Sequence, residues 1–150
     1  MSPFDWRSVL LARHAQHVVL IHFPIALFIT GVIFDVVSFA RKQAHLGQVA
    51  FYNFCVAALS TFPAIATGLL AWQWALEGQR LKGTLLLHLI CGITASLLIC
   101  VVCSLVWRER KGGTSQAQTL VKYALEFLAV GLLGLAGHLG GFLSGVNGGP

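Results

Sequence analysis

The stretch HVVLIHFPIALFITGVIFD, residues 17–35, constrains the fold of this chain more than any other part of the sequence. It is apolar enough to cross a bilayer, yet it contains two histidines, a proline and, at its far end, a carboxylate. Ionisable groups are costly in hydrocarbon, and those found there usually face the interior of a helix bundle or a bound ligand. The stretch therefore predicts a membrane-spanning helix that turns polar side chains toward other helices.

Three further apolar runs follow, and each exceeds the roughly 20 residues with which a helix crosses about 30 Å of hydrocarbon. The chain is 57% hydrophobic and 10% charged, whereas about 25% of the residues of a soluble domain are charged. The net charge of +5 lies almost wholly in the connections between the runs, so it reflects membrane topology and not a nucleic-acid partner. We predict an all-α fold, an integral-membrane four-helix bundle with up-down-up-down order.

The apolar runs divide the chain into an interfacial N-terminal segment (1–16), a four-helix transmembrane domain (17–145) and a short tail (146–150). A stretch rich in Gly, Ser, Thr and Gln, residues 112–119, predicts a flexible linker before the last helix. The cysteines lie inside apolar runs and are interpreted as packing residues: Cys55, Cys91, Cys100 and Cys103. The predicted helices span His17–Ala40, Val49–Leu76, Thr84–Trp107 and Leu120–Leu143.

The basic residues predict the orientation of the bundle in the membrane. Cytoplasmic connections carry an excess of Lys and Arg, and six basic residues flank one side of the predicted bundle against four on the other. We therefore expect a multi-pass protein of the bacterial inner membrane, with the first and third connections in the cytoplasm and both termini in the periplasm. The six are Arg41, Lys42, Arg108, Arg110, Lys111 and Lys122, and the four are Arg7, Arg13, Arg80 and Lys82.

Three histidines from different helices are expected at one level of the bundle. At 1.5 Å per residue, His22, His88 and His138 each lie about 6–7 Å from the end of their predicted helix, on the periplasmic side. His17 lies about one turn nearer the surface. Each of the three has a small residue four positions away on the same helix face, which leaves room for a flat ligand. These small residues are Ala26, Gly92 and Gly134.

A b-type haem is the cofactor that fits this level best, because imidazoles from facing helices supply both axial ligands. We expect two ligands to come from His22, His88 and His138, with His17 in reserve or as the partner of a haem propionate or a quinone. A zinc site built from the same four histidines is the main inorganic alternative. Close helix packing in membranes also selects small residues, so glycines alone do not identify a ligand site.

Two carboxylates lie toward the other side of the bundle. Asp35 and Glu126 are expected at similar depth, with Asn53 nearby on the second helix. Such groups either take up protons or form hydrogen bonds that hold helices together, and we favour the second interpretation. The chain has no nucleophile elbow, phosphate loop or nucleotide fingerprint, so hydrolytic and nucleotide chemistry are not indicated.

Several of these residues form motifs. The first helix contains H-x-x-x-x-H-F-P-I from His17, and the last contains G-H-x-G-G from Gly137; Gly68 lies in ATGLLAW, and His88 lies in the third helix. Over residues 17–145 the chain resembles a bacterial integral-membrane family, the domain-of-unknown-function family numbered 2231. Members commonly have proline after the first histidine and aspartate after G-L-L, whereas this chain has Val18 and Ala71.

The resemblance implies a four-helix membrane domain, a b-type haem and a place in periplasmic electron transfer, since some members are joined to Rieske iron-sulfur or c-type cytochrome domains. Our leading hypothesis is a cytochrome-like subunit of a respiratory complex, not an enzyme by itself. It would relay electrons between a periplasmic redox partner, such as a c-type cytochrome or iron-sulfur protein, and the quinone pool or another membrane subunit.

Two other functions stay open. One is a cofactor-free anchoring or assembly subunit that packs on its partners through the glycine-rich fourth helix. The other is a small metal-handling transporter that uses the same histidines. Inverted repeats would favour the transporter, but the sequence shows no convincing one between its two halves.

Overall fold

A computed structural model describes residues 13–75, 77–112 and 115–145 of the chain, and these residues form four α-helices without any strand. Each helix is long and apolar enough to cross a membrane. The predicted all-α, four-helix membrane fold is therefore confirmed. The helices are α1 (Arg13–Arg41), α2 (Ala44–Ala75), α3 (Gly83–Gly112) and α4 (Gln116–Leu143).

All four helices begin before their predicted first residues, and α1 and α3 also end later than predicted, because hydropathy marks only the part of a helix that lies in hydrocarbon. α1 begins at Arg13, so residues 13–16 of the predicted N-terminal segment are helical and continuous with the first helix. α3 ends at Gly112 and α4 begins at Gln116, so five of the eight residues of the predicted linker are helical. The remaining parts of two predicted segments, residues 1–12 and 146–150, lie outside the described residues.

Ser115 explains the early start of α4. Its hydroxyl accepts a hydrogen bond from the backbone N–H of Gln118 at 3.3 Å. The side-chain oxygen of Gln118 accepts one from the backbone N–H of Ser115 at 3.0 Å. This reciprocal capping box satisfies two backbone donors at the helix start and stabilises a turn of polar residues that hydropathy does not detect.

The outer surface of the bundle is apolar. Leu59 is 68% exposed, Phe62 65% and Leu97 62%, although all three lie in the middle of long helices. Large apolar side chains at this exposure are unfavourable in water, but they cost nothing against lipid tails, which are equally apolar. The four helices therefore form a membrane-embedded domain whose outer face contacts lipid.

The helices form two hairpins, α1–α2 and α3–α4, which pack more extensively within themselves than against each other. At Gly31 of α1, an added Cβ would lie 2.8 Å from Cε1 of Phe54, so only glycine admits this ring of α2. The centre of the bundle is filled by fully buried apolar side chains: Phe28, Phe54, Ala57, Ala95, Ile99, Val102 and Ala129.

The two hairpins bury equivalent positions. A shift of 72 residues relates five buried positions of α2 to five of α4, and a shift of 71 relates four buried positions of α1 to four of α3. Because both hairpins run in the same direction, this is a parallel repeat and not an inverted one. The α2 positions are 50, 54, 57, 61 and 64; the α4 positions are 122, 126, 129, 133 and 136; α1 contributes 24, 28, 31 and 35; α3 contributes 95, 99, 102 and 106.

A buried ion pair joins the first helix to the last. Nζ of Lys122 on α4 donates to Oδ2 of Asp35 on α1 at 2.6 Å and to Oε2 of Glu109 on α3 at 3.0 Å. The lysine is only 4% exposed. Contrary to the prediction from charge counting, Lys122 therefore does not flank the bundle, and the predicted excess of basic residues on that side falls to five against four.

Replacing Lys122 with methionine is expected to destabilise the bundle by about 3–5 kcal/mol, because it leaves two carboxylates without their buried cation. Thermal or denaturant unfolding in detergent micelles measures the loss. Lys82→Met, at an exposed position before α3, is the matched control and should change stability by less than about 1 kcal/mol. Equal stability of the two variants would show that the ion pair does not hold α1 to α4.

Candidate ligand site between two histidines

His17 is held against α2 near the start of α1. Its Nδ1 lies 3.1 Å from the backbone carbonyl of Ala64 and 3.3 Å from the hydroxyl of Thr67. A carbonyl oxygen only accepts, so Nδ1 carries the hydrogen in this contact. In a neutral imidazole, Nε2 is then the nitrogen with the lone pair, which is the form that ligates a metal.

His88 is held in the same way by the other hairpin. Its Nδ1 lies 2.9 Å from the backbone carbonyl of Ala136 on α4, so Nε2 is again the basic nitrogen of the neutral ring. The two acceptors, Ala64 and Ala136, are related by the 72-residue shift that relates α2 to α4. The two hairpins therefore anchor their histidines by equivalent contacts.

The two anchored rings lie close together, edge to face, where the two hairpins meet. The ring centroids of His17 and His88 are 6.4 Å apart, and the ring planes are nearly perpendicular, at 87°. Both rings are partly buried. The structure thus brings together two of the four predicted histidines, one from each hairpin.

The other two predicted ligands lie on outer faces of their helices. His22 is exposed, and its Nδ1 lies 2.6 Å from the carbonyl of Val18 on its own helix. His138 is also exposed, and its ring contacts Phe142 with centroids 5.0 Å apart. Five residues turn a helix by about 140°, so His17 and His22 cannot share a face. The same reasoning separates His138 from the buried Ala136, two positions earlier.

Glycines also flank the histidine pair, but they come from the neighbouring helix. An added Cβ at Gly68 of α2 would lie 2.9 Å from Cε1 of His17, and one at Gly140 of α4 would lie 3.2 Å from Cε1 of His88. The predicted glycines, Gly92 and Gly134, have nothing within 4 Å of such a Cβ. Close approach between helices therefore makes room for each imidazole.

A signal in the sequence identifies His17 as the inward-facing histidine of α1. His17 and Asp35 are 18 residues apart, which is five full helical turns, so they lie on the same face. His22 is out of phase with Asp35. Depth along the helix, on which our prediction depended, carries no information about the direction in which a side chain points.

The predicted carboxylate side forms a second polar cluster at the opposite end of the bundle. Asp35 and Glu126 are both buried, at 8% and 0% exposure. Lys122 and Glu109 are the members of this cluster that sequence reasoning missed, although Lys122 lies one turn before Glu126. Asn53 does not join the cluster by a side-chain hydrogen bond in the structure; its amide donates to the carbonyl of Val49 at 2.9 Å.

A family model described as "Predicted membrane protein (DUF2231)" matches residues 13–148. The chain belongs to this family. The match covers all four helices of this DUF2231 protein, including the histidine pair and the charged cluster, so the resemblance noted in the sequence is confirmed. No curated protein and no solved structure matches the chain.

The Gly68→Ala variant is expected to lose about 1–3 kcal/mol of stability, because the new methyl group displaces the His17 ring from the Ala64 carbonyl. Gly92→Ala is the matched control within a helix. It meets open space and should gain up to about 1 kcal/mol from the helix preference of alanine. Unfolding in detergent measures both, and a gain at Gly68 equal to that at Gly92 would contradict the close contact.

Proposed function

We propose that this protein is a b-type haem subunit of the bacterial inner membrane that passes electrons between a periplasmic redox partner and the quinone pool or another membrane subunit. The observation that carries the proposal is the pair of anchored imidazoles, His17 and His88, on opposite hairpins. The proposed ligands are His17 and His88. His88 belongs to the set predicted from the sequence, and His17 replaces His22 and His138.

The separation of the two rings fits a shared iron. Two imidazoles that bind opposite sides of one metal ion through bonds of about 2 Å have ring centroids about 6 Å apart, and the observed distance is 6.4 Å. The contacts of Nδ1 with backbone carbonyls fit as well, because metal-ligating histidines usually donate their second N–H to a carbonyl or carboxylate. A tetrahedral zinc ion fits less well, since it needs three or four ligands, and the described residues contain no group of three His, Cys, Asp or Glu that could hold a metal.

The position of the pair supports a flat cofactor. The two histidines come from different hairpins, and the hairpins pack less extensively against each other than within themselves. Gly68 and Gly140 lie against the two rings and limit how far each imidazole can move toward the neighbouring helix. A bound b-type haem would supply one-electron transfer at a potential tuned by its ligands and surroundings. The protein contributes the two ligands, their orientation and an apolar setting.

Replacing either histidine of the pair tests this proposal. His17→Ala and His88→Ala are each expected to remove most of the b-type band from the reduced-minus-oxidised spectrum of protein purified in detergent. His22→Ala and His138→Ala are the matched controls, because both rings lie on outer faces, and they should keep the full pigment content.

Three results would overturn the proposal: a colourless native protein, pigment that survives in both His17→Ala and His88→Ala, or pigment that depends on His22 instead. A colourless protein with a stoichiometric bound transition metal would favour the metal-handling function.

The anchoring function has one observation in its favour. Gly131, Gly134 and Gly137 of α4 have nothing within 4 Å of an added Cβ, so this face of the helix is open to a close-packed neighbour. A colourless native protein that leaves a larger membrane complex when Gly137 is changed to Leu would favour that role.

A further inference from the structure

Glu126 is the most unusual polar residue of the charged cluster. It lies on α4 with 0% of its surface exposed, and neither carboxyl oxygen accepts a hydrogen bond from a donor within the described residues. An ionised carboxylate in such a position has lost its water without gaining a donor, which is very costly in an apolar interior. A protonated carboxylic acid avoids that cost because it carries no charge.

The charges around Glu126 also oppose its ionisation. The charged and titratable groups that act on its carboxyl are Asp35 from α1, Glu109 from α3, and Lys122 and Tyr123 from its own helix. Lys122, the only cation among them, already pairs with both other carboxylates, at 2.6 Å and 3.0 Å. An ionised Glu126 would place a third negative charge beside a single positive one.

A cavity connects this cluster with the end of the bundle. Its volume is about 270 Å³, and it is lined by Asp35, Ser38, Glu109, Thr119, Lys122 and Tyr123, together with Phe39. A water molecule occupies about 30 Å³ of liquid, so the cavity has room for several. Water can therefore reach the carboxylates that face Glu126, and it can deliver or accept a proton there.

We propose that Glu126 is a reversible proton-binding site inside the membrane domain, loaded from this cavity through the Asp35–Lys122–Glu109 cluster. A proton from cavity water adds to the carboxylate and gives a neutral acid, and its release restores the charge of −1. The proposal does not depend on the haem, because it uses only the groups at the opposite end of the bundle.

The site exchanges protons with one side of the membrane only. Glu126 and Ala136, which marks the level of the histidine pair, are about 15 Å apart along α4. The space between these two levels is filled mainly by apolar core side chains, among them Phe28, Ile99 and Leu133. The hydroxyl of Thr61 is also buried there, but it donates to the carbonyl of Ala58 on its own helix at 2.7 Å. These side chains give a proton no hydrogen-bonded route to the histidines.

Infrared spectroscopy of the full chain in alkyl maltoside micelles, which contain no carbonyl group, tests the proposal. At neutral pH the native protein is expected to show the C=O stretching band of a protonated carboxylic acid. The band should shift to lower frequency after equilibration in D₂O, because the proton exchanges, and again when the glutamate side chains carry ¹³C. Glu126→Gln should abolish it.

Glu77→Gln is the matched control, because Glu77 lies exposed in the connection between α2 and α3; it should leave the band unchanged. The absence of the band from the native protein at neutral pH would overturn the proposal, as would its persistence in Glu126→Gln or a failure to shift in D₂O. If Glu126→Gln does not fold, the ¹³C label is read in the native protein and in Glu109→Gln. A band that shifts with the label and persists in Glu109→Gln supports Glu126, whereas a band without a label shift does not come from a glutamate and excludes Glu126.

Discussion

The ion pair between Lys122 and Asp35 closes the bundle. α1 and α4 otherwise contact each other little, yet this 2.6 Å contact joins them through two side chains that are at most 10% exposed, where a charge pair interacts more strongly than at the surface. Lys122 lies on the same buried face of α4 as Glu126, Ala129, Leu133 and Ala136, as the helical period requires. The face of α4 that carries the ion pair is therefore also the face whose carbonyl holds His88.

The two hairpins carry equivalent residues at one polar end of the bundle and different residues at the other. At the histidine end the hairpins are equivalent, since each offers an imidazole, a backbone carbonyl and a glycine in matching positions. At the charged end the equivalence is broken. Lys122 and Glu126 of α4 correspond to Ala50 and Phe54 of α2, and Asp35 of α1 corresponds to Val106 of α3. The proposed ligand would therefore meet matching contacts from both hairpins, whereas the charged end is formed by side chains of α1, α3 and α4.

The apolar core between these ends separates two kinds of chemistry. On one side lie imidazoles whose protons are committed to carbonyls; on the other lie three carboxyls and a lysine beside a cavity. Aromatic, aliphatic and alanine side chains fill most of the space between them, and the buried hydroxyl of Thr61 donates within its own helix. Any influence of one end on the other must therefore pass through helix packing or long-range electrostatics, and not through a chain of hydrogen bonds.

The amino-acid sequence alone indicates that the chain lies in a lipid bilayer, and it indicates the number and the order of the helices. Runs of more than 20 apolar residues have no other stable arrangement. The sequence also placed polar residues at two levels. It did not determine which histidine faces inward, that Lys122 is buried, or that Gly68 and Gly140, in place of Gly92 and Gly134, adjoin the rings. A membrane helix is apolar on all sides, so hydropathy does not distinguish its inner face from its lipid face. Which side chains meet depends on how one hairpin packs against the other, and this packing is seen only in the tertiary structure.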